Sequence, residues 1–194
     1  MKNLMKVLPV MGLFFTVACT KTTVTPTAPA ASLLEMNAKT VPAFSIGIEY
    51  GGGIIFFIDS TGEHGLIAAP KDMDTIVSWY NQVYWFARAR GTGIGKGATN
   101  TQKIISALGD SGVYAAKICA DYSGGGYTDW FLPSKGELNL LYKRKEIVGG
   151  FISGYYWSST EADYKYAWSQ YFGFGYQGLN DKKFAFFVRA VRAF

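Results

Sequence analysis

The sequence predicts an α+β domain on three observations: a β-prone run bounded by turn residues, a middle section of amphipathic helical segments, and an aromatic, strand-forming C-terminal third. At 194 residues the chain has room for one such domain and is short for two, since domains commonly run to roughly 100–200 residues. It is 49% hydrophobic and 16% aromatic with only 17% charged residues. That composition supplies the apolar surface a packed core needs and lies far from disordered chains.

The first folded element is a hairpin. Ile54 to Ile58 form a continuous β-prone run, "STGEHG" is a loop with two turn glycines, and "LIAAP" returns. The only histidine, His64, sits in that loop as a solvated turn residue, and with no second His or Cys nearby there is no zinc set. The glycines of "GTGIGKGATN" invite a phosphate-loop reading that fails on inspection: Arg90 stands where the motif needs Gly, and Gly97 where it needs Ser or Thr. The stretch reads as a surface loop and a candidate rim for a site. It leads into a helix starting near Asn100 or Thr101, with Ile104, Ile105 and Leu108 inward.

A second helix is expected from Val113 to Tyr122, with Tyr114, Ile118 and Tyr122 at helical spacing and Ala115 and Cys119 beside them. Cys119 reads as a small buried thiol, because free cysteine is among the most buried residue types. In "DWFLPSKGELNLLY", Ser134 and Glu137 have the spacing of a capping box, followed by the apolar face Leu138, Leu141 and Tyr142. Glu137 thereby has a sufficient structural role. From Tyr155 to Phe187, thirteen of thirty-three residues are Phe, Trp or Tyr. Trp168, Phe172, Phe174 and Tyr176 alternate onto one face of an expected strand, with Gly173 and Gly175 where a ring covers the backbone or the strand bends. The closing "FAFFVRAVRAF" reads as a central strand, apolar on both faces except at Arg189 and Arg192.

The N-terminus is not part of that fold. "MKNLMKVLPVMGLFFTVAC" places Lys2 and Lys6 before an apolar run and small residues ending at Cys19, the layout of a bacterial secretory signal. The run is too short for a spanning helix, which needs about 20 apolar residues. "TVAC" resembles a lipoprotein signal box, with Thr16 where leucine is usual. Cys19 is therefore the expected lipidation site. The resulting organisation is a signal peptide at 1–18, a Thr/Ala/Pro-rich tether at 19–45 and a domain at 46–194. The expected location is the bacterial envelope, lipid-anchored in the outer membrane and facing either the periplasm or the surface. Cys19 and Cys119 are the only cysteines, so the domain is expected to hold no disulfide.

Seven segments in register, "GGGIIFFIDSTGEHGLIAAP", "GTGIGKGATNT", "YAAKICADY", "DWFLPSKGELNLLY", "GGFISGYYWSSTE", "AWSQYF" and "FFVRAVRAF", resemble the bacterial domain family named for the C-terminal domain of the Legionella collagen-like adhesin (Lcl). The resemblance spans about Gly51 to Phe194. More distantly, "WFLPSKGEL", "YWSSTE" and "VRAVR" resemble the formylglycine-generating enzymes and the wider C-type lectin-like fold. That implies two helices packed on small, twisted, mostly antiparallel sheets with the N- and C-terminal strands adjacent. The chain departs from calcium-dependent lectins, having no Glu-Pro-Asn or Gln-Pro-Asp triplet and "YWSS" where those carry Trp-Asn-Asp. It departs from the enzymes too, because a lone Cys119 cannot reproduce their cysteine pair.

The resemblance implies a non-catalytic binding module for sulfated or other glycans or extracellular matrix. The alternative is an envelope assembly module binding a protein partner, and a glycan-active enzyme using Asp121, Asp129 or Glu161 is a third class. No cofactor and no metal are expected. Nineteen basic and 14 acidic residues give +5, and two of the basic ones leave with the leader, so the remainder carries only +3. This mild bias does not suggest a nucleic-acid binder, which would show a concentrated basic stripe, but suits acidic glycans, so no nucleic-acid partner is expected. The candidate ligand contacts are the aromatic-basic stretch Trp79, Tyr80, Trp85, Arg88 and Arg90, and the run Lys143, Arg144 and Lys145 after the third helix. The sequence leaves two readings open for them: Trp79 and Trp85 as core residues, and the lysine-arginine run as a solvated helix end.

Overall fold

The computed structural model describes residues 44–194. The leader, the lipidation site Cys19 and nearly all of the tether lie outside these residues. The domain runs β1 (Glu49–Tyr50), β2 (Gly53–Ile58), β3 (Gly65–Ala68), α1 (Gly97–Leu108), α2 (Ala115–Asp121), α3 (Lys135–Lys143), α4 (Lys145–Val148), β4 (Tyr155–Glu161), β5 (Tyr166–Tyr171), β6 (Gln177–Asp181) and β7 (Val191–Ala193). One antiparallel sheet has the order β1-β2-β3-β7 and the other β4-β5-β6. This is the expected α+β architecture. Helices α1 and α3 are its two long ones, with α2 and α4 two turns or fewer. No helix among the described residues is long and apolar enough to cross a membrane.

The early hairpin forms as its residues dictate, with Ile55 opposite Ile67 and Ile58 opposite Gly65 across the β2–β3 ladder. Helix α1 begins at Gly97, earlier than the local signals near Asn100 indicate. The reason is a long-range cap. The Glu137 carboxylate accepts from the amides of Gly95 at 2.7 Å and Gly97 at 3.4 Å, groups that would otherwise be orphaned at the helix start. The same carboxylate completes the expected capping box of α3, accepting from the Ser134 amide at 2.7 Å while the Ser134 hydroxyl accepts from the Glu137 amide. Burial pushes the Glu137 carboxyl above its ordinary value, and the amides of Ser134, Gly95 and Gly97 pull it back.

The aromatic segment differs from its expected single strand. β5 ends at Tyr171, Gly175 turns the chain with φ +86° and its amide donates to the Tyr171 carbonyl at 2.8 Å, and β6 starts at Gln177. A side chain at Gly175 would collide with the Tyr142 ring, so only glycine fits both the conformation and the space. Phe172 consequently turns inward and is buried, while Phe174 and Tyr176 face solvent.

The C-terminal segment is bonded on both sides, as a central strand would be, but only β7 is regular. Ala190 accepts from the Ala69 amide, Val188 from Met73, Phe186 bridges to Val77, Phe187 to Tyr156 and Val191 to Phe131. Its neighbours belong to different elements, so no continuous ladder develops. The two arginines enter the interior with partners. Arg189 is fully buried, donating to Asp72 at 2.7 Å and to the carbonyls of Ala69 and Gly150, and Arg192 forms a two-point pair with Asp129 at 2.7 and 2.9 Å. The ends of the domain meet where the Phe194 ring packs against Phe44 and Tyr50. Cys119 is buried in the same apolar cluster as Trp79, Ile104, Tyr114 and Trp157, and burial alone pushes its thiol far above the usual range.

Candidate ligand-binding cleft

The segment from Tyr80 to Arg90 adopts no helix or strand, so its backbone groups must find partners elsewhere. They find them on Glu161, the last residue of β4. Its Oε1 accepts from the Ala87 amide at 3.0 Å and its Oε2 from the Ala89 amide at 3.3 Å. Glu161 is itself paired with Lys182 at 2.6 Å, both side chains having no solvent exposure. The other Lys182 hydrogens go to the carbonyls of Trp85 and Tyr164, each at 3.0 Å. One ion pair thus fixes the 85–89 loop and the turn after β4 to each other. Burial pulls the Lys182 ammonium below its ordinary range, and the hydrogen bond and charge of Glu161 counter it.

The clamp explains an unusual backbone. Arg88 lies between the two held amides with φ +58°, in the left-handed region where a side chain costs roughly 1–2 kcal/mol. Strain of this kind persists only where the surroundings over-determine it, and it clusters at functional sites. Its effect is to turn Ala87 and Ala89 inward, where both are buried, and to leave Arg88 outside. Among the described residues the Arg88 guanidinium has neither an ion-pair nor a hydrogen-bond partner.

Around it opens a cleft of about 500 Å³ lined by Tyr84, Trp85, Phe86, Arg88 and Tyr164. The rings are presented to solvent, Trp85 at 58% and Tyr164 at 62% exposure. Tyr84 is anchored by its hydroxyl, which donates to Asp181 at 2.5 Å, and that hydrogen bond is the main reason its phenol is pushed far above its usual range. Arg90 stands at the rim, its guanidinium 4.8 Å from the Phe86 ring centre and 3.2 Å from the Ala162 carbonyl.

The structure therefore brings Trp85, Arg88 and Arg90 together and separates the other candidates from them. Trp79 is fully buried; its indole donates to the Ser158 carbonyl at 2.9 Å and its ring lies 4.5 Å from the Lys182 ammonium, so it is the floor beneath the clamp. Tyr80 is half-buried behind the cleft, its ring 4.8 Å from that of Tyr84. Lys143 and Arg144 are exposed at the α3–α4 link, and Lys145 donates to the Phe172 carbonyl at 2.7 Å and lines a different cavity of about 240 Å³ with Gly149 and Phe151. The two cavities share no lining residue.

Sequence reasoning missed Tyr84, Phe86 and Tyr164 as lining residues, and the Glu161–Lys182 pair altogether. A faint signal for the pair exists: Glu161 closes "YYWSSTE", a strand buried on both faces, where a carboxylate requires a counter-charge. The other two carboxylates weighed for chemistry are also paired, Asp121 with Lys117 on the same helix and Asp129 with Arg192.

Residues 71–192 match the family model of the Lcl C-terminal domain, more than half of the chain. The chain belongs to that family. No curated protein matches it. The cleft and its clamp lie wholly within the span matched by the Lcl C-terminal domain, whereas the β1–β3 hairpin precedes it.

Proposed function

We propose that this Lcl C-terminal domain is a non-catalytic binding module whose cleft takes an anionic, sulfated glycan, and that a lipid on Cys19 tethers it to the bacterial envelope, in the outer membrane. The observation that carries the reading is Arg88, without an ion-pair or hydrogen-bond partner among the described residues and held on strained backbone beside exposed rings. Aromatic rings offer flat apolar faces at small entropic cost. A guanidinium fork matches the paired oxygens of a sulfate. Because the clamp fixes the loop beforehand, little ordering remains to be done on binding. Asp121, Asp129 and Glu161 are each engaged with a cation, which supports binding over catalysis. We read the fold as lectin-like, supported by the adjacent domain ends and by a cleft built from connecting segments.

A second reading, an assembly module for an envelope protein, has one observation in its favour: Phe174 and Tyr176 at the β5–β6 turn are 73% and 58% exposed. Binding of the purified protein to sulfated and neutral polysaccharides, with and without high salt and chelator, separates the two. The glycan reading expects salt-sensitive, chelator-insensitive binding to sulfated chains, weakened about tenfold by Arg88→Ala. Sulfated chains that fail to bind, or that bind regardless of salt and Arg88, refute it.

A further inference from the structure

We propose that the glycan surface continues out of the cleft, across the β5–β6 face to Lys135 at the start of α3, so that the ligand is a polyanionic chain engaging several sites in a row. This rests on the cleft reading above and goes beyond it in ligand length and in the residues that engage it.

The alternation of β5 places Tyr166, Trp168 and Gln170 on one face, opposite Asp181, Leu179 and Gln177 of β6. Gln170 is fully buried, so the open part of the row runs from Tyr166 to Trp168 with Leu179 beside it, two residue steps or about 7 Å, and Lys135 closes it on the Trp168 ring. Its near end joins the cleft: Tyr84 donates to Asp181, directly across from Tyr166, and Tyr84 and Tyr164 are 6.4 Å apart between ring centres. Cations accompany the aromatics along the row. Lys165 lies 5.3 Å from the centre of the Tyr166 ring and Lys135 3.2 Å from that of Trp168.

The charge balance along the row is positive. Asp181 is the acidic group between cleft and strand face; its side chain is nearly buried, and Lys165 and Lys183 both stand 3.8 Å from it. Asp163 accepts from the amides of Lys165 and Tyr166 at 2.8 Å and keeps its charge, so the cations Lys135, Lys165 and Lys183 stand against the carboxylates Asp163 and Asp181, three to two. At the far end the Lys135 ammonium has no carboxylate and no hydrogen-bond acceptor among the described residues, only the Trp168 ring, and burial draws it below its ordinary range. A cation held against a ring with nothing to neutralise it is a fitting stop for a sulfate. Leu179, half-exposed beside Trp168, gives the row an apolar surface for sugar C–H groups.

A ligand that reaches both Arg88 and Lys135 gains the second contact at high effective concentration, whereas one that fills only the cleft does not. The test is calorimetric titration of size-fractionated dextran sulfate, short and long, into the purified full-length protein and its Lys135→Gln, Lys135→Arg and Arg88→Ala variants. Long chains should bind the parent more tightly per chain than short ones. Lys135→Gln should weaken long-chain binding about three- to tenfold and leave short-chain binding unchanged, with an unaltered melting temperature. Lys135→Arg should keep the length effect, and Arg88→Ala should weaken both fractions. If Lys135→Gln leaves long chains bound as tightly as by the parent while Arg88→Ala weakens both, the extended surface is refuted and the cleft survives. If neither fraction binds the parent, both fall. Single-stranded DNA that depends on Lys135 when dextran sulfate does not would overturn the glycan assignment.

Discussion

Glu161→Gln is the most informative perturbation of this domain, because one atom changes where three donors converge. In the parent, Oε1 accepts from Lys182 at 2.6 Å and from Ala87 at 3.0 Å, and Oε2 accepts from Ala89 at 3.3 Å. Glutamine keeps the shape but replaces one acceptor with an NH₂ group that faces a backbone N–H or the ammonium. More importantly, it leaves Lys182, with no solvent exposure, as a buried charge without a counter-ion. Breaking a buried pair in this way costs about 3–5 kcal/mol. For a domain of this size each kcal/mol shifts the melting temperature by about 2–4 °C, so the expected drop is about 6–20 °C. Urea unfolding followed by tryptophan fluorescence gives the free energy, and thermal melting checks it. Replacing both partners, Glu161→Met with Lys182→Met, should return much of the lost stability by removing the charge from the interior. It should not return the proposed glycan affinity, because the Ala87 and Ala89 amides and the Trp85 and Tyr164 carbonyls stay unanchored. A Glu161→Gln protein within about 1 kcal/mol of the parent would refute the clamp. So would a double variant that binds normally.

Arg88→Gly should raise stability by about 0.5–1 kcal/mol, since glycine removes the roughly 1–2 kcal/mol left-handed penalty and loses part of the gain to chain entropy; sulfated-glycan binding should fall in the same protein, and a lower melting temperature would show that Arg88 is not strained. Ser134→Ala should cost about 1–2 kcal/mol in urea unfolding, because the hydroxyl both caps α3 and donates to the Gly93 carbonyl at 2.8 Å, and a neutral result would mean that Glu137 alone holds the helix start. For Asp129, the hydrogen bond from Arg192 holds the carboxyl below its ordinary value against the opposing effect of burial. A depressed folded value means that its stabilising part is present above about pH 4 and is lost as pH falls through the folded value. Asp129→Asn should therefore cost at most about 1 kcal/mol near neutrality, its side chain being more than half exposed, and should lose stability less steeply than the parent below about pH 4; parallel pH profiles would show the pair to be inert.

What could be read from the sequence follows the range over which each signal acts. The β2–β3 hairpin, the capping box at Ser134 and the Cys119 face of α2 were legible because turn residues, cap spacing and helical period are local. The start of α1 was not, because its cap is Glu137, some forty residues away, and nothing beside Gly97 announces it. Gly173 and Gly175 were recognised as a bend or a covered backbone, but the full reversal into β6 depends on the Tyr142 ring filling the space beside Gly175. The closing segment was read as central from its apolar faces, and it is bonded on both sides without forming one long strand, since its partners come from separate elements.

The cleft shows the same limit at the level of function. Composition and adjacency named Trp85, Arg88 and Arg90, which the fold places together at one exposed cleft, and equally named Trp79, which is the buried floor. What divides them is an ion pair between residues 21 apart, of which only the Glu161 half leaves a trace in its own surroundings. Once Glu161 takes the amides on either side of Arg88 and Lys182 takes the carbonyl of Trp85, the loop can present its side chains in only one way. Inward goes the small alanine pair; outward go the guanidinium and the indole. A buried pair is a poor means of adding stability, since well-packed apolar residues of the same volume do as well or better. Its presence beneath the one strained arginine of the cleft is accounted for by positioning, which is why stability and affinity should come apart when both charges are removed together.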